Sequence, residues 1–144
     1  MSGAAQYVDL SNAPDAVAHW VEFIETKDFD GVSARSGDRL NMDVMYESSQ
    51  GMAAELLADR GEWYVALGFA TSRDRLFDSA VWRIVLGSAA PTREVESIEV
   101  QVDFFVENWD ELVRLSETGG IEERLRVARR LRAELIFGVS PAQK

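Results

Sequence analysis

The side chains in this sequence best suited to chemistry are its carboxylates. Two of them held at a fixed separation, one with a raised pKa, can act as acid and base on a glycosidic bond. With 25 Asp and Glu among 144 residues, chance pairs are expected, and no spacing singles one out. His19 is the one imidazole. As a lone general base it would need a Ser nucleophile, and the serines show no distinguishing spacing either. A histidine at the edge of an apolar helix stripe is more often a structural hydrogen bonder. The chain is therefore expected not to be an enzyme, and no catalytic residue is assigned.

The absence of cysteine removes disulfides, thiolate nucleophiles, zinc fingers and cysteine-held iron–sulfur clusters. Carboxylates alone could still hold Mg²⁺ or Ca²⁺, but no acidic stretch has EF-hand spacing. Scattered glycines form neither GxGxxG nor GxxxxGK(S/T), so a nucleotide fold has no local support. No cofactor and no metal are expected. The start, MSGAAQ, lacks the basic-then-apolar order of a signal peptide, and no apolar run approaches the length of a membrane span; the expectation is a cytoplasmic protein with no membrane partner.

Charge is the strongest compositional signal. The formal net charge is -10, yet residues 121–144 hold 3 acids and 6 bases against 22 and 9 in the first 120. An acidic body repels phosphate backbones, which disfavours nucleic acid and favours a basic protein partner.

The elements that must position these charges follow from periodicity. A short strand is expected at 7–10. Asn12, Pro14 and Asp15 then supply a cap, an early proline and an acid for a helix running to about Lys27, with Val17, Trp20, Val21 and Ile24 on one face and Phe23 beside it. Residues 40–47 alternate: Leu40, Met42, Val44 and Tyr46 against Asn41, Asp43 and Glu47, with Met45 the exception. Two further strands at 52–59 and 63–70 continue an antiparallel meander, although the middle one has high helix propensity.

A second helix is expected over 71–87, with Thr71 and Asp74 as a capping box and Gly87 as its end. Ile98, Val100, Val102 and Phe104 alternate with Glu99, Gln101 and Asp103, the pattern of another strand. Asn108 and Glu111 cap a helix over 109–116, Gly119 and Gly120 break it, and a last helix covers 121 to about 137. The fold class expected is α+β: an antiparallel sheet of about four to five strands with helices packed on one face, a two-layer sandwich in a single domain over 1–144, with 137–144 a frayed tail.

The sheet face opposite the helices would carry Asp43, Glu47, Glu55, Glu99, Gln101 and Asp103, with Met45, Tyr64 and Phe105 on the same side. Acids interleaved with aromatic and Met side chains suit a docking surface for a basic protein, although antiparallel sheets also commonly leave one face polar to water. Trp20, Trp63 and Trp109 are expected in or beside the core, whereas Trp82 projects away from the stripe of its helix, as an interface residue would.

The run ERLRVARRLR at 123–132 holds five arginines. On the last helix Ile121, Leu125, Ala128, Leu131 and Leu135 form an apolar stripe. Arg126 and Arg130 fall on the far side and Arg129 on a flank. Arg124 and Arg132 project into the apolar arc, so they must snorkel, pair with an acid of the body, or face a site.

The order helix, strands, helix, strand, helix in a small acidic chain resembles the secretion-chaperone type of fold. That resemblance implies binding to other proteins and assembly as a dimer. Bacterial immunity proteins, which cover a toxin, are similar in size, acidity and cysteine content. The function expected is a protein-binding module, inhibitor-like or chaperone-like, using Asp43, Glu47, Glu55, Tyr64, Trp82, Glu99, Asp103, Arg124 and Arg132 toward a basic protein, with a homodimer compatible. The alternatives are a small-molecule-binding protein or enzyme with a pocket between sheet and helices, and a homo-oligomeric structural protein.

Overall fold

A computed structural model describes residues 13–38, 41–69, 73–87 and 95–137. The expected strand at 7–10 and the Asn12 cap lie outside them. Pro14 holds the N-cap position of α1, Asp15–Thr26, with φ -59°; the pyrrolidine ring presets that angle and lacks the N–H that a first turn leaves unsatisfied. Val17, Trp20, Val21 and Ile24 form its buried face, as their spacing requires.

Five strands follow as one antiparallel sheet in sequence order: β1 Phe29–Asp38, β2 Asn41–Ser48, β3 Met52–Asp59, β4 Glu62–Phe69 and β5 Leu76–Asp78. Turn chemistry decides the conformation of β3 against its helix propensity. On one side the Ser48 hydroxyl accepts from the Gln50 and Met52 N–H groups. On the other, Arg60 and Gly61 both have positive φ, 53° and 85°, the geometry of a two-residue type I′ hairpin. With both ends fixed, the chain between them can only pair.

Three expectations need correction. β1 had no counterpart in the sequence reading: FDGVSARSGD does not alternate, and the strand bends through register shifts at Gly31/Ser33 and Ser36/Asp38. The helix expected over 71–87 is only Ser79–Leu86 (α2). Arg73–Arg75 form a 3-10 turn and Leu76–Asp78 pair with β4 as β5. The cap is Asp78, whose carboxylate accepts from Val81 N at 3.0 Å; Gly87, at φ 77°, ends the helix as expected. The expected strand at 98–104 is helix α3, Ile98–Glu107, capped by Ser97 through Val100 N. Helix α4, Trp109–Ser116, and helix α5, Ile121–Phe137, match their expected positions, though the Asn108 side chain binds back to Phe104 O instead of capping α4.

One sheet face, with Val44, Tyr46, Ala54, Leu56, Val65, Leu67 and Phe77, shares a single buried cluster with α1, α2, α3 and α4. Trp20 meets Phe105 at 5.4 Å between ring centroids, and Trp109 packs edge-on against Phe23 and Phe29. Each such ring or branched side chain contributes roughly 1.5–3 kcal/mol through burial. The helices therefore lie on the sheet as a second layer, the α+β arrangement expected. Among the described residues, no helix is long and apolar enough to cross a membrane.

Candidate functional site

The register brings part of the expected docking face together and disperses the rest. Asp43 on β2 pairs with Leu57 on β3, which pairs with Tyr64 on β4; one row along, Met45, Glu55, Ala66 and Asp78 are successive partners. Asp43, Glu55, Tyr64 and Glu47 thus share the face opposite the core. It is not an open wet face, however. Asp43 is 7% exposed, Ala53 is fully buried, and Glu47, Glu55 and Tyr64 are half-buried. The Tyr64 hydroxyl donates to Glu62 at 2.6 Å, and that bond pushes its pKa up.

Glu99, Gln101, Asp103 and Phe105 do not belong to the sheet. On α3 a helical turn separates them: Gln101 and Phe105 point inward, and Glu99 and Asp103 are exposed on the outer side. Trp82 is likewise the reverse of what its projection suggested. It is 0% exposed, and its indole N–H donates to Leu67 O at 3.0 Å. The first turn of α2 is buried all round, through Ser79, Ala80, Val81 and Trp82, so it leaves Trp82 no outward side.

The arginines of α5 divide differently from their projection. Arg132, with its side chain 13% exposed, faces Asp78 with Nη1 3.8 Å from Oδ2, so it pairs with an acid of the body. Arg124 donates to Val85 O at 3.1 Å. Arg126 pairs with Glu122 one turn back. Arg129, expected only on a flank, is held against the body: it lies over the Phe77 ring at 4.5 Å and donates to Asp74 O and Leu76 O. Arg75 adds a two-point contact to Glu122, at 3.0 and 2.9 Å. Much of the basic run therefore docks its helix on the β5 edge.

Tyr64, Asp78, Glu96 and Arg132 surround a small cavity of about 130 Å³. Its polar groups are engaged with one another: the Ser79 hydroxyl donates to Glu96 at 2.6 Å, Arg83 Nε lies 2.8 Å from the other Glu96 oxygen, and Gln101 donates to Glu96 O. The arrangement ties α2, α3 and β5 together. Among the described residues, no group of three or more His, Asp or Glu could hold a metal ion.

One group of accessible acids lies on the helical layer. Helices α1 and α3 pack on each other. Together they carry Asp15, Glu22, Glu25, Glu99, Asp103 and Glu107 and contain no Lys or Arg. Five of these six are exposed, and Glu25 is half-buried.

Compared with protein-family models, with curated proteins and with solved structures, the chain matches none.

Proposed function

We propose that this chain is a protein-binding module that docks a basic protein partner, of the kind an inhibitor, an immunity protein or a chaperone provides. The docking surface is the outer side of α1 and α3. One observation carries the reading: two packed helices with six carboxylates and no cationic residue, in a chain of net charge -10. A surface with a large excess of one sign of charge speeds encounter with an oppositely charged partner and disfavours like-charged ones. Exposed charges of this kind are screened by salt, so affinity must fall as ionic strength rises.

The test is capture of partners from the native lysate at low and high salt, using the wild type and a Glu99→Lys, Asp103→Lys, Glu107→Lys variant. A basic protein retained by the wild type at low salt, released by salt and lost in the variant is the expected result. Equal retention by the variant would move the docking surface elsewhere. The Glu47→Lys variant, on the sheet, should bind as the wild type does.

A further inference from the structure

The apolar stripe of α5 extends past the body it packs on. Ile121, Leu125 and Ala128 are buried, but Val127, Leu131 and Leu135 are 39%, 42% and 40% exposed. Val127 and Leu131, with Ile84 and Val85 of α2, border a groove of about 470 Å³ that also takes in Gly120 and Arg124. Single exposed apolar residues are ordinary; a row of them at helical spacing beside a groove marks a contact surface.

The sequence of α5 says what fits there. Arg124, Val127, Leu131 and Glu134 recur at intervals of three, four and three, the spacing of a two-stranded helical seam. Set against a second copy running antiparallel, with the two-fold axis midway between 127 and 131, every side-chain layer finds its complement. Val127 meets the partner's Leu131, and Leu131 the partner's Val127. Arg124 meets the partner's Glu134, and Glu134 the partner's Arg124. Arg124 is exposed at the groove and Glu134 is half-buried, so each polar layer sets a guanidinium of one copy against a carboxylate of the other.

The flanks agree with the seam. In antiparallel pairs, positions on one flank meet their own kind: Glu123 faces the partner's Arg130, of opposite sign, and Leu135 faces the partner's Ala128, both apolar. A parallel alignment would instead stack Arg124 on the partner's Arg124 and Glu134 on the partner's Glu134, like charges that repel. We infer that α5 pairs antiparallel with α5 of a second copy, seated between α5 and α2, giving an isologous two-fold dimer. This surface is separate from α1 and α3, so the inference holds whether or not those helices bind a basic protein.

The test is the oligomeric state of the full chain by sedimentation velocity over a dilution series, with circular dichroism to verify that each variant is folded. The wild type should be dimeric. Arg124→Glu and Glu134→Arg each place like charges in both polar layers and should weaken association at least about tenfold. The double variant R124E/E134R restores opposite charges only in the antiparallel register and should return to within about threefold of the wild type. A wild type that stays monomeric throughout the series overturns the inference, as does a double variant no tighter than the singles. A second readout does not depend on the charge variants folding. The chain has no cysteine, so Val127→Cys and Leu131→Cys chains, mixed under mild oxidation, should cross-link to each other in preference to themselves; cross-linking only like to like would overturn the register.

Discussion

The Gln101 side chain occupies the place in the sheet that a longer β5 would hold. β5 is three residues long and pairs only with Ala66, Leu67 and Gly68 of β4. Beyond its end the Val65 N–H would be buried without a partner, and Gln101 Oε1 accepts from it at 3.1 Å. The other end of the amide donates to Glu96 O at 2.8 Å. A polar side chain that is only 4% exposed is thus satisfied at both functions, and helix α3 is fixed to the sheet by a backbone group.

Gln101→Leu keeps the volume and removes the acceptor. The Val65 N–H is then buried and unsatisfied, which costs about 2 kcal/mol. Denaturant unfolding should show a lowered midpoint with an unchanged slope; an unaltered midpoint would mean that water reaches Val65.

At Gly68 the sheet and the turn before β5 are in close backbone contact. A Cβ there would lie 1.9 Å from Arg75 O, a backbone atom that cannot swing aside. Gly68→Ala should therefore destabilise by about 3 kcal/mol, at the upper end of overpacking costs. Gly51→Ala is the control: its added methyl meets nothing within 4 Å, and its cost arises from the positive φ of 86°. The two melting temperatures should separate clearly.

The Arg75 guanidinium, and secondarily Arg126, holds the Glu122 carboxyl below its ordinary range. A carboxylate with a depressed folded-state pKa contributes stability that is complete above its unfolded pKa and is lost as pH falls through the folded one. Acid should therefore loosen α5 from the 3-10 turn first. In Glu122→Gln this part of the pH dependence disappears, so the gap in melting temperature between variant and wild type should narrow as pH is lowered from neutral toward 3.

The meander and the last two helices were legible because each rests on local information: alternation in β2, turn residues around β3, and Gly119–Gly120 before α5. Segment 98–104 misled because it is apolar at two periods. Ile98, Val100, Val102 and Phe104 satisfy a strand, while Ile98, Val102, Phe105 and Trp109 satisfy a helix. Tertiary contact chose the helical set, burying Ile98, Val102 and Phe105 on α3 and Trp109 at the start of α4 and leaving Val100 outside. β1 was illegible for the opposite reason, since a bulged edge strand has little period to read. Of the expected docking residues, Asp43, Glu47, Glu55 and Tyr64 were grouped correctly because strand register carried them. Glu99 and Asp103 were misplaced because their segment is helix and not strand, and Trp82 because the first turn of α2 is buried on every side.

Arg129 occupies two backbone carbonyls at the sheet's outer border, Leu76 O on β5 and Asp74 O in the turn just before it, the first of which β5 would otherwise offer to a neighbouring strand. Gln101 closes the adjoining stretch of β4. An open strand edge is the usual route to fibrillar stacking and to capture of an extended peptide as an added strand. Along this border of the sheet both routes are stoppered by side chains, so whatever approaches from that direction must be recognised by shape and charge and not by main-chain pairing.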